Sequence, residues 1–177
     1  ILAIKPQDFD KSLEELKKNE QLHLIISLAA GITTSFIESR LGKRSVIRVM
    51  PNLPAKVGEG MICITKGKFA TDIDLSFVQG LFNRLGKTLV IDEKMMDAAT
   101  AVSGSGPGFL YEMINNTPRA DWDKFIKEQF IPKLSYAGVL VGFIPEQAGL
   151  LAETTALGSM SLLHQSKVPA AILKVRV

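Results

Sequence analysis

The stretch that decides the fold class is Leu22-His23-Leu24-Ile25-Ile26-Ser27-Leu28, which is almost entirely apolar. A continuous apolar run is typical of a strand that lies in a sheet covered on both faces. Ala29-Ala30-Gly31 follows it, and Thr33 or Thr34 then caps a predicted helix that ends at Gly42. Strand, loop and helix in this order predict an α/β layer with a mostly parallel sheet.

The same alternation extends in both directions from this stretch. Further strands are predicted at residues 1–5, 46–50, 61–65 and 87–91, and further helices at residues 11–19 and 72–85. After about residue 95 the β-rich runs stop, and residues 95–102, 107–114, 121–142 and 146–165 all have helical patterns. We therefore predict two domains, an α/β domain at residues 1–94 and an all-helical domain at residues 95–177.

The composition excludes several classes of protein. The chain has 177 residues, of which 46% are hydrophobic and 22% charged, so it is neither a disordered tail nor a collagen-like fibre. A net charge of +3 is too small to indicate a nucleic-acid partner. The apolar run at residues 24–32 is shorter than the about 20 residues that cross a bilayer, so no membrane partner is predicted. Cys63 is the single cysteine, which favours a reducing compartment, and we expect the cytoplasm.

Three loops that follow predicted strands are candidate ligand contacts: residues 5–7, 29–31 and 51–54. Ligands of open α/β sheets bind beyond the carboxyl ends of the strands. The small residues at 29–31 let a flat ligand approach the backbone, and Asn52 offers both a donor and acceptors. The alternative for residues 51–54 is a plain turn, because Asn and Pro are turn formers.

Phosphate and metal sites have weaker support in the sequence. No G-x-G-x-x-G follows a strand and opens a helix. Gly104 and Gly106 form a G-x-G, but they follow a helical segment. The alternative to a phosphate site there is a helix break that lets two helices approach closely. His23 and His164 have no metal-ligand spacing, so no metal site is predicted.

The segment at residues 148–163 contains one charged residue, Glu153. A helix that is mostly apolar all round must be enclosed, and a second copy of the chain is the simplest partner. We expect an obligate homodimer; the alternative is a helix buried inside one compact monomer.

Five sequence blocks together resemble pyrroline-5-carboxylate reductase, in order and in spacing. The blocks at residues 47–54 and 96–107 are the most specific. The five are residues 3–7 (A-I-K-P-Q), 27–32 (S-L-A-A-G-I), 47–54 (I-R-V-M-P-N-L-P), 57–60 (V-G-E-G) and 96–107 (M-D-A-A-T-A-V-S-G-S-G-P).

This resemblance implies an enzyme that reduces 1-pyrroline-5-carboxylate to L-proline with NADPH or NADH, as a homodimer or a multiple of dimers. It also implies a partial Rossmann-like sheet followed by a helical dimerisation domain. It places Asn52 in a loop under the cofactor, and Ser103 and Ser105 at the start of a helix beside the active site. Glu93 falls on an acidic position associated with substrate or product. The residues bordering the nicotinamide end are Ala3, Lys5, Pro6, Ala29, Ala30 and Gly31.

The sequence also departs from the family pattern. The first βαβ unit with its glycine loop would precede Ile1, and an S-P-G-G-T-T loop with the expected catalytic threonine would follow Val177. Both ends lie in apolar stretches, so we expect a chain that lacks sequence at each end. Residues 115–134 resemble an insertion. Two other hypotheses stay open: a nicotinamide-dependent dehydrogenase with another small substrate, and a non-catalytic dimerising relic.

Overall fold

The computed structural model describes residues 1–4, 6–19 and 23–177. Lys5 therefore lies outside the described residues, as does Leu22, the first residue of the predicted strand at 22–28. Within the described ranges, the strands all lie before residue 91 and the chain from residue 93 is helical. These two parts are called the sheet half and the helical half below.

The sheet has four strands in the order β1-β2-β3-β4 within the described residues. β1 pairs parallel with β2, and β3 pairs parallel with β4, but β2 and β3 are antiparallel. Only residues 51–59 connect β2 to β3, and a parallel crossover needs about a dozen residues or more. The strands are β1 (Leu24–Ser27), β2 (Ser45–Met50), β3 (Gly60–Lys66) and β4 (Gly86–Val90).

The strand predicted at residues 1–5 is wrong. Leu2 alone forms a parallel bridge to Ser27, with its N–H 2.7 Å from the Ile26 carbonyl oxygen and its own carbonyl oxygen accepting from Leu28 at 3.0 Å. A 3₁₀ turn begins at Pro6, because proline has no N–H with which to extend a ladder.

Helices cover both faces of the sheet, since successive strand residues point to opposite sides. α1 (Phe9–Lys17) and α2 (Thr34–Leu41) pack on one face around Ile25 and Val46. α3 (Asp72–Phe82) packs on the other around Ile47 and Val49. The predicted cap and stop of α2 are confirmed: the Thr33 hydroxyl accepts from the Phe36 N–H, and Gly42 has a φ of 77°.

The helical half runs from a 3₁₀ turn at Glu93–Met95 to residue 177. The helix predicted at residues 121–142 is confirmed as a continuous helical segment at residues 122–140, with a π-helical turn at Ile126–Phe130 in its middle. The helices are α4 (Met96–Ala99), α5 (Gly106–Asn115), α6 (Trp122–Phe125), α7 (Ile131–Leu140), α8 (Pro145–Ser166) and α9 (Ala170–Lys174), with a further π-helical turn at Thr100–Gly104.

The long helix α8 is enclosed by its own chain. Eleven of its 22 residues are buried, and it packs against α5, α7 and β3. Its core is shared with the sheet half, because Met50, Met61 and Cys63 belong to the same cluster of buried residues as Leu151 and Ala152. A second copy is therefore not needed to enclose α8. No helix among the described residues is long and apolar enough to cross a membrane.

Candidate active site

A cavity of about 220 Å³ lies where the loops after β1 and β2 meet the start of the helical half. Ala30 borders it from the loop after β1, and Asn52 from the loop after β2. Ser105 borders it from the helical half, so three of the predicted site residues line one cavity. The full lining is Ala30, Met50, Pro51, Asn52, Leu53, Thr100, Gly104, Ser105, Arg176 and Val177.

Asn52 is held by hydrogen bonds to three parts of the chain and is 7% exposed. Its Oδ1 accepts from the Met61 N–H at 2.9 Å, and its Nδ2 donates to the Ser103 carbonyl at 3.1 Å. Nδ2 also lies 3.5 Å from the Thr155 hydroxyl on α8. Because both polar ends of the amide are occupied, Asn52 fixes the floor of the cavity in this structure.

The π-helical turn at Thr100–Gly104 shapes the wall opposite this floor. The turn is defined by a hydrogen bond between residues five apart, from the Ser105 N–H to the Thr100 carbonyl at 2.8 Å. Insertions of this kind into α-helices are frequent at functional sites. The predicted helix break at Gly104 and Gly106 is thus a π-turn that leads directly into α5, with the backbone at Gly104 close to the cavity.

The two predicted serines differ in their accessibility. Ser103 is fully buried, and its hydroxyl donates to the Ala99 carbonyl at 2.9 Å. Ser105 lines the cavity, and within the described residues its hydroxyl has no hydrogen-bond partner. Ser105 can therefore bond to a ligand, whereas Ser103 supports the π-turn.

Glu93 lies away from this cavity. One carboxylate oxygen accepts from Arg48 Nη1 at 3.0 Å, and the other accepts from the N–H of Thr34 at 3.1 Å and from its hydroxyl. Glu93 lines a separate cavity of about 590 Å³ beside the end of β4. The structure thus brings Ala30, Asn52 and Ser105 together and does not bring Glu93 to them.

The remaining predicted residues lie at the carboxyl edge of β1 or are not described. Ala3 follows the Leu2 bridge to Ser27, so it lies beside the end of β1, and Gly31 has a φ of 74° that suits glycine. Ala29 is buried in the core with Phe9 rather than lining the cavity. Pro6 opens the first 3₁₀ turn, and Lys5 lies outside the described residues.

Several residues at or near the site were missed from the sequence. Arg48 is 1% exposed in the middle of β2. Within the described residues its Nε and Nη2 have no hydrogen-bond partner, and Nη2 lies 3.8 Å from an Asp97 carboxylate oxygen. A charged residue inside an apolar strand was the available signal. Among the described residues that line the 220 Å³ cavity, Arg176 has the one charged side chain. No sequence pattern around Arg176 indicated that it lies there.

Two buried groups near the site stay protonated near neutral pH. Burial raises the pKa of the Cys63 thiol to about 12, against a smaller lowering by the Ser103 hydroxyl. Burial also raises the pKa of Tyr111 to about 12, and its hydroxyl donates to the Ser159 carbonyl at 3.0 Å. Neither group is therefore suited to act as a base.

The fold and the cavity together define a Rossmann-like α/β chain with a helical second half and a ligand cavity at the strand ends. In sequence the chain is similar to pyrroline-5-carboxylate reductases along nearly its whole length. Comparison with models of known protein families gave no match.

Two curated relatives and one solved structure illustrate this similarity. The chain is 35% identical over 175 residues to pyrroline-5-carboxylate reductase of Arabidopsis thaliana, covering 98% of this chain and 57% of the relative. It is also 35% identical to the Schizosaccharomyces pombe reductase, covering 97% and 56%. The Plasmodium falciparum pyrroline carboxylate reductase structure with NADP bound matches with a TM-score of 0.60 and 31% identity, over 99% of this chain and 63% of that one. The chain thus spans little more than half the length of these curated relatives.

Proposed function

We propose that the protein reduces 1-pyrroline-5-carboxylate to L-proline with NADPH or NADH, the last step of proline biosynthesis. The observation that carries this proposal is the similarity to named reductases along nearly the whole chain. NADP bound to the Plasmodium relative supports the choice of cofactor.

The cavity suits the nicotinamide end of such a cofactor. Ala30 and Gly104 present small side chains or bare backbone on two sides, which leaves room for a flat ring. The 177 residues contain no G-x-G-x-x-G that opens a helix after a strand, so the sequence identifies no glycine loop for the phosphates. The cofactor would supply the hydride for the ring C=N carbon of the substrate.

The lining residues have separate tasks in this proposal. Asn52 holds the floor rigid, and the Ser105 hydroxyl donates to the polar edge of a bound ring. Arg176 supplies positive charge for the substrate carboxylate, since within the described residues it makes no ion pair. Together they orient the imine carbon and exclude water from it, and the chemistry needs little else from the protein.

The two halves divide this work. Residues 1–94 would hold the nucleotide, and residues 95–177 would close the cavity and join a second copy. Support for a homodimer comes from exposed apolar side chains on the helical half, of which Tyr136 is 65%, Leu140 68% and Ile144 57% exposed. A cytoplasmic location is consistent with Cys63 as a free thiol.

The test is an assay of nicotinamide oxidation by the product of the complete coding sequence. Oxidation of NADPH that depends on pyrroline-5-carboxylate, and fails with other cyclic imines and with 2-oxo acids, would support the proposal. Oxidation with a different substrate class and none with pyrroline-5-carboxylate would refute it.

A further inference from the structure

The outer face of α3 exposes a stripe of large apolar side chains. Ile73 is 81%, Phe77 63% and Leu81 40% exposed, while Val78 and Phe82 on the opposite side of the same helix are buried against the sheet. The exposed residues are four apart, so they form one continuous row along the helix. A helix at a water-facing surface normally places polar residues there, so this row indicates a contact surface.

A groove lies within the same row, over Gly80. It has a volume of about 370 Å³ and is lined by Ser76, Phe77, Gly80, Leu81 and Arg84. A Cβ added at Gly80 would meet no atom within 4 Å. Glycine weakens a helix interior, and here no described residue packs against the bare backbone. The groove is therefore open to an occupant that the described residues do not include.

We propose that this face docks on the same face of a second copy of the chain, through a two-fold axis that crosses α3. The two helices run antiparallel, and Phe77 of each copy fills the groove over Gly80 of the other. The projecting ring and its groove are three residues apart on one face, so a single two-fold rotation satisfies both at once. This is the self-complementarity that an isologous contact requires.

Charge supports the antiparallel alignment. When Phe77 of one copy lies opposite Gly80 of the other, Arg84 lies opposite the second copy's Ile73. Arg84 is then next to the second copy's Asp72, with which it can form an ion pair. Within the described residues Arg84 makes no ion pair, and Asp72 is exposed and pairs with Lys66.

This contact is separate from the proposed dimer of the helical half. α3 packs on the sheet face that carries Ile47 and Val49, whereas the helical half packs around Met50 and Met61. A pair of helices of 11 residues buries less than a standard interface of about 1,600 Å², so we expect weak association through α3 alone. A protein with both contacts would form assemblies larger than two.

Sedimentation velocity of the product of the complete coding sequence, from micromolar to millimolar concentration, tests the proposal. Phe77→Ser removes the projecting ring, and Gly80→Leu fills the groove while adding apolar surface. Both sites are open to solvent, so circular dichroism should show an intact fold. We expect the wild type to associate, and each variant to weaken the α3 step at least tenfold. Phe109→Ser, which removes a phenylalanine that is 54% exposed on the helical half, should leave this step in place.

The variant Gly80→Leu distinguishes specific docking through α3 from non-specific association of apolar surfaces. Non-specific apolar association would stay or grow in that variant, whereas insertion of Phe77 would be blocked. Association that is unchanged or stronger in Gly80→Leu, or that is absent from the wild type, would overturn the proposal. The readout is assembly rather than activity, so its failure leaves the proposed reduction untouched.

Discussion

The Nδ2 atom of Asn52 lies 3.1 Å from the carbonyl oxygen of Ser103, which joins the loop after β2 to the π-turn of the helical half. The same side chain accepts from the Met61 N–H at the start of β3. One amide thus fixes three elements around the proposed site. We therefore expect its removal to lower the free energy of unfolding as its first effect.

Replacing Asn52 by alanine should destabilise the fold. The change leaves the buried Met61 N–H and Ser103 carbonyl without their partner, and each unsatisfied group costs about 1–3 kcal/mol. We expect the free energy of unfolding, measured with urea, to fall by about 2–4 kcal/mol. Asn116→Ala is the matched control, since that amide donates to the Glu112 carbonyl at an exposed position. Equal losses in the two variants would contradict the role given to Asn52.

Replacing Glu93 by glutamine should also destabilise the fold, by about 3 kcal/mol, because the buried Arg48 guanidinium loses its nearer counter-ion. It keeps only the exposed Asp97 carboxylate, which lies 3.8 Å from Nη2. The double variant Arg48→Met/Glu93→Leu should recover much of this loss, since an apolar pair needs no charge compensation. Urea unfolding of both single variants and the double variant gives the coupling energy. A double variant as unstable as the sum of the single variants would argue against a coupled pair.

Acid should weaken the start of α3 through Asp74. The backbone N–H and hydroxyl of Thr71 and the hydroxyl of Ser45 bond to this carboxylate and hold its pKa below the ordinary value of 3.8. The unfolded chain therefore binds the proton first, so this contribution is complete above the unfolded pKa and is lost as the pH falls through the folded one. Urea unfolding between about pH 5 and pH 2 should show a shallower loss of stability in Asp74→Asn than in the wild type. Parallel curves would show that Asp74 does not contribute.

Arg176 should matter for substrate rather than for cofactor. In the product of the complete coding sequence, Arg176→Gln should raise the KM for pyrroline-5-carboxylate about tenfold or more, with little change in the KM for NADPH. The physical reason is the loss of a charge-assisted bond to the carboxylate. Lys174→Gln, which removes a surface pair with Glu112, is the control. Equal effects on both KM values would count against this assignment.

The sequence pattern predicted all four described strands to within two residues, because a buried strand is a run of apolar residues that can be recognised locally. The residues of β3 do not indicate that it runs antiparallel to β2. That direction follows from the connection at residues 51–59, which is too short for a parallel crossover. The strand predicted at residues 1–5 shrinks to the Leu2 bridge.

Part of the site was predicted because some of its residues lie next to elements that the sequence locates. Ala30, Asn52 and Ser105 follow or precede regular elements whose ends can be located from the sequence, and they line one cavity. The π-turn depends on an Asn52 side chain 51 residues away, and the Arg48–Glu93 pair spans 45 residues. Contacts at such separation are set by tertiary packing and leave no periodic pattern.

The central claim is that the nicotinamide ring and the substrate meet in the cavity beside Ala30. The most direct measurement compares pyrroline-5-carboxylate-dependent NADPH oxidation by the complete protein with that of its Ala30→Phe variant, with Ala171→Phe as the control. Ala30 and Ala171 are both exposed, so neither ring should disturb the core. We predict that Ala30→Phe folds normally and loses at least a hundredfold in kcat/KM, while Ala171→Phe keeps the wild-type value. Wild-type activity in a folded Ala30→Phe variant would contradict the account.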